Sequence, residues 1–463
     1  MQTPVTIPQR VNKSVVIVGG GIAGLASAIY LARGGCTVTI FEKRRYLGGR
    51  AITHLRSGFR FNIGAHALFR GGAATSVYRE LGIPVRGGSP KPRGRALYGG
   101  DDYKLPIRLW SLLTTSLLSI GAKAEAAALL FRLGRIDPKP FASISARQWI
   151  DENISDPRLR EVIEALVRLA TYSNRPEDLS AAVALAQLKL VRRGAMYIDE
   201  GWQKLVDALH TSAVTAGVNF VSSSRIVGVD HDDAVRGIEL GGLEMDDHGD
   251  TKSLVLPDLA PEGIVGTRLP AQNVLLAIDP ISAAELITDQ AIANSWRLPS
   301  PVVAACLDVA LSKLPKPETT FALGIDQPVY FSVHSAWAQL TPKGGALIHL
   351  MKYRKSAVKF IGDELEPERV RRGEESAADE RELEGVLDRL QPGWREVLVH
   401  RRFLPSMNVS NTILAPGATR PSPVTPIRGL YIAGDWVGSE GWLSDAALSS
   451  ARAAAKAILS SDS

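Results

Sequence analysis

Three glycines and a carboxylate carry the first chemistry legible in this chain. Gly19, Gly21 and Gly24 stand in GxGxxG spacing. They follow a β-branched run, Ser14–Val18, and precede a helical pattern through Leu25, Ile29 and Leu31. There the first glycine permits a tight turn out of the strand, the second lets a pyrophosphate approach the backbone, and the third lets the helix pack closely on the sheet. The helix start, at Ile22 and Ala23, aims its unpaired amides and positive dipole end at the same phosphates. A second β-branched run, Thr37–Phe41, closes at Glu42, followed by Lys43. A carboxylate at that point accepts hydrogen bonds from ribose hydroxyls and repels a 2′-phosphate. A glycine-rich turn without a ligand would account for the glycines alone, but not for strand, helix, strand and carboxylate together.

The residues after Glu42 separate one dinucleotide from another. Arg45-Tyr46-Leu47-Gly48-Gly49-Arg50-Ala51-Ile52-Thr53 reads RxxGGRxxT. Paired glycines let the backbone come close to a ligand, and a guanidinium is the fork that fits phosphate oxygens. With this motif the chain resembles the flavin amine oxidase and phytoene desaturase superfamily, over both ends and much of the middle. The resemblance implies FAD, with Gly49 against it and Arg50 on its pyrophosphate. Near the C-terminus, Gly429-Leu430-Tyr431-Ile432-Ala433-Gly434-Asp435 resembles the family's closing motif. There Gly434 and Asp435 meet the ribityl or pyrophosphate region, and the helix after Leu443 turns its N-terminus to the flavin, where its dipole stabilises negative charge. Ile226, in Arg225-Ile226-Val227, falls where the family lays backbone against adenine; a plain core strand is the other reading. Phe61-Asn62-Ile63-Gly64-Ala65-His66 resembles the segment passing the ring edge. Gly64 and Ala65 are small enough to admit the ring. His66 would orient substrate or stabilise anionic flavin, unless it is a hydrogen-bonded core histidine. Trp442 falls where amine oxidases set an aromatic residue facing the flavin; it walls the substrate cavity or packs between domains. The two cysteines, Cys36 and Cys306, lie far from this segment, so FAD is expected to be held noncovalently.

Two branches of the superfamily remain open. Amine oxidases carry a lysine after a strand like Asn273–Ile278, and Glu285 occupies its register here. Together with Ala277-Ile278-Asp279-Pro280, that resembles the desaturase side: desaturation of a lipophilic, isoprenoid-like substrate, with oxygen or a quinone as acceptor. An amine or amino-acid oxidase is the alternative. A lipid or protein escort on the same scaffold, such as the Rab GDP-dissociation inhibitors, is the third reading. The intact Gly19, Gly21, Gly24, Glu42 and Arg50 speak against it.

The 463 residues suffice for two or three domains and a large core. With 54 Lys and Arg against 48 Asp and Glu, the net charge of +6 is a mild bias that does not call for nucleic acid. No CxxC or HExxH spacing suggests a metal site. Met1–Ser14 has no apolar signal core, so no signal peptide is read there, and the expected location is cytoplasmic. Helical patterns dominate 70–200: Leu109–Leu118, Ala124–Leu133, Ser145–Glu152, Pro157–Leu169 and Ser180–Arg192. Strand patterns return at Ala195–Ile198, Val218–Val221, Arg225–Val229 and Asn273–Ile278, with a polar hairpin or loop over Asp230–Asp250. Alternating runs at Val302–Val309, Val329–Val333 and Ala346–Lys352 indicate a mixed sheet. Asp363–Leu390 reads as a solvated charged helix and Leu443–Leu459 as an Ala-rich one. The expected fold is α/β. A Rossmann-type FAD-binding domain with a parallel sheet, discontinuous in sequence, takes 1–85, 195–290 and 405–463. A substrate domain of mixed sheet with a helical cap takes 86–194 and 291–404. The uncharged stretch Leu109–Ala122 is too short to span a bilayer. It is read as a buried cap helix or as a helix dipping into the inner face of a membrane, with Lys91, Arg93, Arg95, Lys104 and Arg108 on the headgroups.

Overall fold

The strand at Ser14–Val18 is the centre of a five-stranded parallel sheet. The strand order is Asn219–Val221, Thr37–Phe41, Ser14–Val18, Val274–Leu276, Leu430–Ile432. This computed structural model describes residues 13–91, 93–241, 266–297, 301–355 and 366–461. The strands read as short apolar runs because both faces are covered. On one face lie the helices Ile22–Arg33, Gln203–Thr215 and Ser444–Ser460, with Leu25, Ile29, Leu205, Leu209 and Leu448 in the core. Alanines at 447, 451, 454 and 455 are buried there. Their small side chains bring the last helix close to the first, and Ser27 Oγ donates to the Ala451 carbonyl at 3.4 Å. The other face packs on the antiparallel strands Ile226–His231 and Val235–Leu240 and the helix Pro280–Glu285. Those two strands form the hairpin expected from 230 onward; the part of that stretch beyond 241 lies outside the described residues.

A second, mixed sheet has seven strands: Leu398–Ser410, Val302–Leu311, Ala346–Tyr353, Val329–Val333, Phe321–Gly324, Arg95–Tyr98 and Asp101–Lys104, in that order. Neighbours are antiparallel except Phe321–Gly324 with Arg95–Tyr98. Every residue of Val302–Leu311 is buried. Its Leu307, Val309 and Leu311 face Leu383 and Leu387 of the long helix Glu366–Leu390. Its Ala304 and Cys306 face the core of the helical cap. Leu383 and Leu387, with Val386 and Leu390 buried in the same cluster, anchor a largely solvated helix. The strand Leu398–Ser410 carries this sheet past residue 404, where the sequence reading places its boundary.

The cap comprises helices Leu109–Thr114, Ile120–Leu133, Ala146–Asn153, Pro157–Thr171 and Ala181–Val191. The helix expected over Leu109–Leu118 stops at Thr114. Thr115 adopts an extended conformation, its hydroxyl donates to the Lys104 carbonyl at 2.8 Å, and it accepts the Leu117 amide at 3.2 Å. A threonine that bonds nearby backbone competes with the helix ladder. The next helix starts at Ile120, ahead of the expected Ala124, because Ser119 caps it by accepting the Ala122 amide at 3.1 Å.

Gly24 fixes the approach of the first helix to the sheet. A Cβ there would stand 2.0 Å from the Gly19 carbonyl oxygen. Gly24→Ala is expected to cost about 1–3 kcal/mol through overpacking, measured as a lowered denaturant midpoint at an unchanged m-value.

Candidate functional site

A cavity of ≈ 580 Å³ opens where the carboxyl ends of the parallel strands meet the cap-bearing half of the molecule. A volume between roughly 300 and 1,000 Å³ is usual for a cofactor or ligand site. Its wall includes Gly19, Gly21, Ile22, Ala23, Glu42, Lys43, Gly49, Arg50, Ala65, His66, Ile226, Gly434, Asp435 and Leu443. Fourteen residues singled out by sequence thus converge on one space from five separated segments. Gly24, Gly64 and Trp442 do not line it.

The glycine loop is built for close approach. Gly19 has φ +106° and accommodates the Ala277 carbonyl, which a Cβ would meet at 2.7 Å. At Gly21 a Cβ would meet nothing within 4 Å, so the bare backbone faces the cavity. The Gly48-Gly49 pair lies alongside: the Gly48 amide donates to the Gly20 carbonyl at 2.9 Å, and Gly21 and Gly48 form a parallel bridge. Glu42 accepts the Gly20 amide at 2.7 Å on one oxygen and the Arg44 amide at 3.0 Å on the other. Burial pushes its carboxyl upward despite these bonds. An ionised carboxylate has about four acceptor sites, so two remain for hydroxyl donors.

Arg50 meets Asp435 in a two-bond fork, Nη1 to Oδ2 at 3.0 Å and Nη2 to Oδ1 at 2.8 Å. Nη1 also donates to the Val409 carbonyl at 3.1 Å. The guanidinium is thus shared with a carboxylate, a partner that the sequence did not point to. Five N–H donors less these three leave Nε–H and one Nη2–H, and the Arg50 side chain is 42% exposed to the cavity. It can still meet an anion there. Asp435 is buried and also accepts the Asn411 amide at 3.0 Å and its side-chain amide at 2.8 Å. Burial alone would raise its pKa, but Arg50 and Asn411 outweigh it and hold the carboxyl below its ordinary value. Arg420 fastens the same loop, donating to the carbonyls of Gly438 (2.6 Å), Asp435 (3.1 Å) and Gly441 (2.9 Å). Neither Asn411 nor Arg420 belongs to a motif, and no local spacing signals them.

His66 Nδ1 donates to the Gly64 carbonyl at 3.2 Å, and its ring meets Trp202 edge-on with centroids 5.3 Å apart. Burial lowers its pKa to about 4, so the imidazole is neutral at physiological pH and its Nε2 is an acceptor. Gly64 has φ +73°, and a Cβ there would strike Met407 Sδ at 2.1 Å. Its smallness admits Met407 rather than opening the cavity, contrary to the expectation. Trp442 is 1% exposed and its indole donates to the Thr171 carbonyl at 3.1 Å. Of its two readings, packing between segments holds; an aromatic wall at that position does not. Tyr172, Trp202, Ile63 and Met407 supply the apolar wall instead. Glu285 lines the cavity beside Leu286, whose carbonyl accepts the Val229 amide at 2.7 Å.

Behind Ala65 lies a buried polar network that no motif foretold. Asp308 accepts His349 Nδ1–H at 2.5 Å and the Cys306 thiol at 3.2 Å on one oxygen, and Arg402 Nε–H at 3.1 Å on the other. Burial would raise its pKa, but His349 and Arg402 hold it down to about 2. The Cys306, Asp308 and His349 ligand atoms lie within 4.8 Å of one another, yet they are already turned on each other and on Arg402.

The Ser444–Ser460 helix presents its N-terminus to the cavity through Leu443, Ser444 and Ala447. Asp445, in its first turn, accepts the Ala74 amide at 2.7 Å and so caps the helix Ala73–Leu81.

The family model described as "Flavin containing amine oxidoreductase" matches residues 22–295. Hydroxysqualene dehydroxylase from Rhodopseudomonas palustris is 26% identical over 448 residues, 92% of this chain and 93% of that protein. Coproporphyrinogen III oxidase from Propionibacterium freudenreichii subsp. freudenreichii is 28% identical over 194 residues, and the match spans only 36% of its length and 39% of this chain. Among solved structures, an oxidoreductase from Methanosarcina mazei superposes with TM-score 0.72 at 19% identity, covering 97% of this chain and 100% of its own.

Asp445 gives the site a pH signature. Burial, with Glu440 adding to it, raises its pKa from 3.8 to about 6. The folded state therefore holds a proton that the unfolded chain has released, and this contribution to stability is lost as pH rises through about 4 to 6. Asp445→Asn keeps the acceptor for Ala74 and removes the charge. It should match the parent near pH 4 and exceed it by about 3 kcal/mol above pH 6, read from denaturation midpoints across pH.

Proposed function

The chain belongs to the flavin-containing amine oxidoreductase family, and from that premise we propose that it binds FAD noncovalently and dehydrogenates a lipophilic, isoprenoid-like substrate. The observation that carries the substrate class is the likeness to a hydroxysqualene dehydroxylase along nearly the whole of both chains. The porphyrinogen oxidase is matched over about a third of its length. Glu285, where amine oxidases of the family hold a lysine, supports the same side.

The residues fit the dinucleotide. Gly21 opens bare backbone to the cavity, Glu42 keeps two acceptor sites for ribose hydroxyls, and Arg50 retains two donors for phosphate oxygens. The positive ends of the Ile22–Arg33 and Ser444–Ser460 helices both border the cavity and favour negative charge there. FAD, when bound, supplies the acceptor for the two electrons and the hydrogen removed from a C–H bond. The chain's own task is positioning and exclusion of water. Tyr172, Trp202, Ile63 and Met407 form the dry wall, and neutral His66 orients the substrate by accepting through Nε2. With its pKa near 4, His66 carries no proton at neutral pH and serves as an orienting group rather than an acid. The acceptor for the electrons is oxygen or a quinone, and the expected setting is cytoplasmic, at the inner face of a membrane. The second reading, an amine or amino-acid oxidase, rests on the family itself. Peroxide release on a panel of amines would favour it.

Two experiments test this reading. Acid precipitation should leave FAD in the supernatant, and Glu42→Gln should weaken FAD binding by roughly ten- to a hundredfold, the worth of hydrogen bonds to a charged group; unchanged affinity would remove Glu42 from the site. Anaerobic mixing with detergent-dispersed polyene or triterpenoid alcohols should bleach the flavin absorbance. Bleaching by amines alone would transfer the assignment to the second reading.

A further inference from the structure

We propose that the helices Leu109–Thr114 and Ile120–Leu133 form a docking surface for an anionic lipid bilayer. The four most exposed large apolar side chains among the described residues all lie here: Ile120 at 87%, Trp110 at 75%, Phe131 at 68% and Leu109 at 66%. Leu113 joins them. In the second helix, Ala122, Ala126, Leu129 and Leu133 are buried in the cap core. Ile120, Ala124, Ala128 and Phe131, at helical spacing, are exposed. A surface helix ordinarily turns a polar face to water; this one is apolar inside and out.

The charges around it select the partner. Residues 104–135 contain five cations, Lys104, Arg108, Lys123, Arg132 and Arg135, and one carboxylate, Glu125. That carboxylate is turned inward, accepting the amides of Ser155 (2.5 Å) and Asp156 (3.1 Å). Lys123 ties the two helices by donating to the Leu113 carbonyl at 3.1 Å. The Arg135 guanidinium lies over the Phe131 ring, 4.0 Å from its centroid. Exposed apolar residues, a tryptophan among them, with cations in the same segment suit the headgroup boundary of an anionic leaflet. A second copy of this chain suits it poorly, because a two-fold contact would set five cations against five. The surface binds in the interface plane, since no helix among the described residues is long and apolar enough to cross a membrane. Its purpose, delivery of a lipophilic substrate, rests on the proposed function; the binding itself rests on the exposed residues.

Flavin-loaded full-length protein is mixed with vesicles of phosphatidylcholine alone or with phosphatidylglycerol, and floated on a density gradient. Binding is expected to the phosphatidylglycerol vesicles and to weaken with added salt. Trp110→Asp and Phe131→Asp, both at exposed positions, should each lower partitioning about tenfold with flavin content unchanged. Arg108→Glu should lower it by at least about fivefold. Absence of vesicle binding overturns the proposal, as does binding that these substitutions leave unchanged. So does a dimer in sedimentation that they disperse while vesicles stay unbound. If the parent floats and the variants do not, yet no lipophilic substrate bleaches the flavin, the docking surface stands and the isoprenoid reading falls. If detergent-dispersed substrate bleaches parent and variants alike while vesicles stay unbound, the reverse holds.

Discussion

Arg50 and Asp435 are 385 positions apart, and their fork joins the two ends of the chain across the cavity. The carboxylate end of the pair stands in a low-dielectric setting. Asp435 is buried and would be costly to leave charged and alone, because breaking such a pair strands an uncompensated charge. The surrounding structure spends further donors on it. Asn411 gives two hydrogen bonds to the same carboxylate, and Val409 accepts from Arg50. Arg420 then holds the backbone of Asp435, Gly438 and Gly441. The segment after the long Leu398–Ser410 strand is thereby pinned between the two sheets. The cavity exists because these contacts keep the C-terminal loop beside the glycine turn without filling the space between.

The same arrangement explains what was legible beforehand. Features set by local geometry were readable: the strand–turn–helix at Gly19–Gly24, the carboxylate closing the second strand, the doublet glycines packed on the turn. Each follows from a few neighbouring residues, and spacing encodes them. The partner of Arg50 was not readable, since nothing near residue 50 points to residue 435. Asn411, Arg420, Asp308 and His349 sit in ordinary strands and loops and acquire their roles only by long-range contact. Trp442 stays open between two readings in the sequence, and Gly64 reads there as opening the cavity, for a related reason. Residue type narrows the choice to a flavin wall or a packing site, and only the position of Thr171 and Met407 decides between them. The short helix at Leu109–Thr114 was overextended because apolar periodicity continues to Leu118 while one threonine hydroxyl redirects the backbone.

Behind the cavity, the mixed sheet contributes stiffness. Asp308 sits at the middle of Val302–Leu311 with four donor contacts from His349, Cys306 and Arg402, and His334 lies ring to ring with both Tyr197 and His349. The four bonds on Asp308 hold its neighbours in one arrangement, while His349 Nε2 and His334 Nδ1, both buried, have no hydrogen-bond partner among the described residues. Ala65 and Met407 rest against this network through Cys306. The cavity wall nearest His66 is therefore backed by fixed hydrogen bonds rather than by side chains free to repack.

Substrate class then depends on the cap, because the dinucleotide half imposes little on what is oxidised. The cap buries one face of Ile120–Leu133 on the same core that holds Trp442, Met407 and Tyr172. Its outer face is apolar as well. A helix of this composition gains from burial on both sides, and the cap core satisfies only the inner requirement. Under the docking proposed above, the outer face would meet a lipid boundary, with the apolar core of the cap between that boundary and the cavity wall. A polar substrate arriving from water has no need of such a helix, whereas a water-insoluble one has no other solvent from which to arrive.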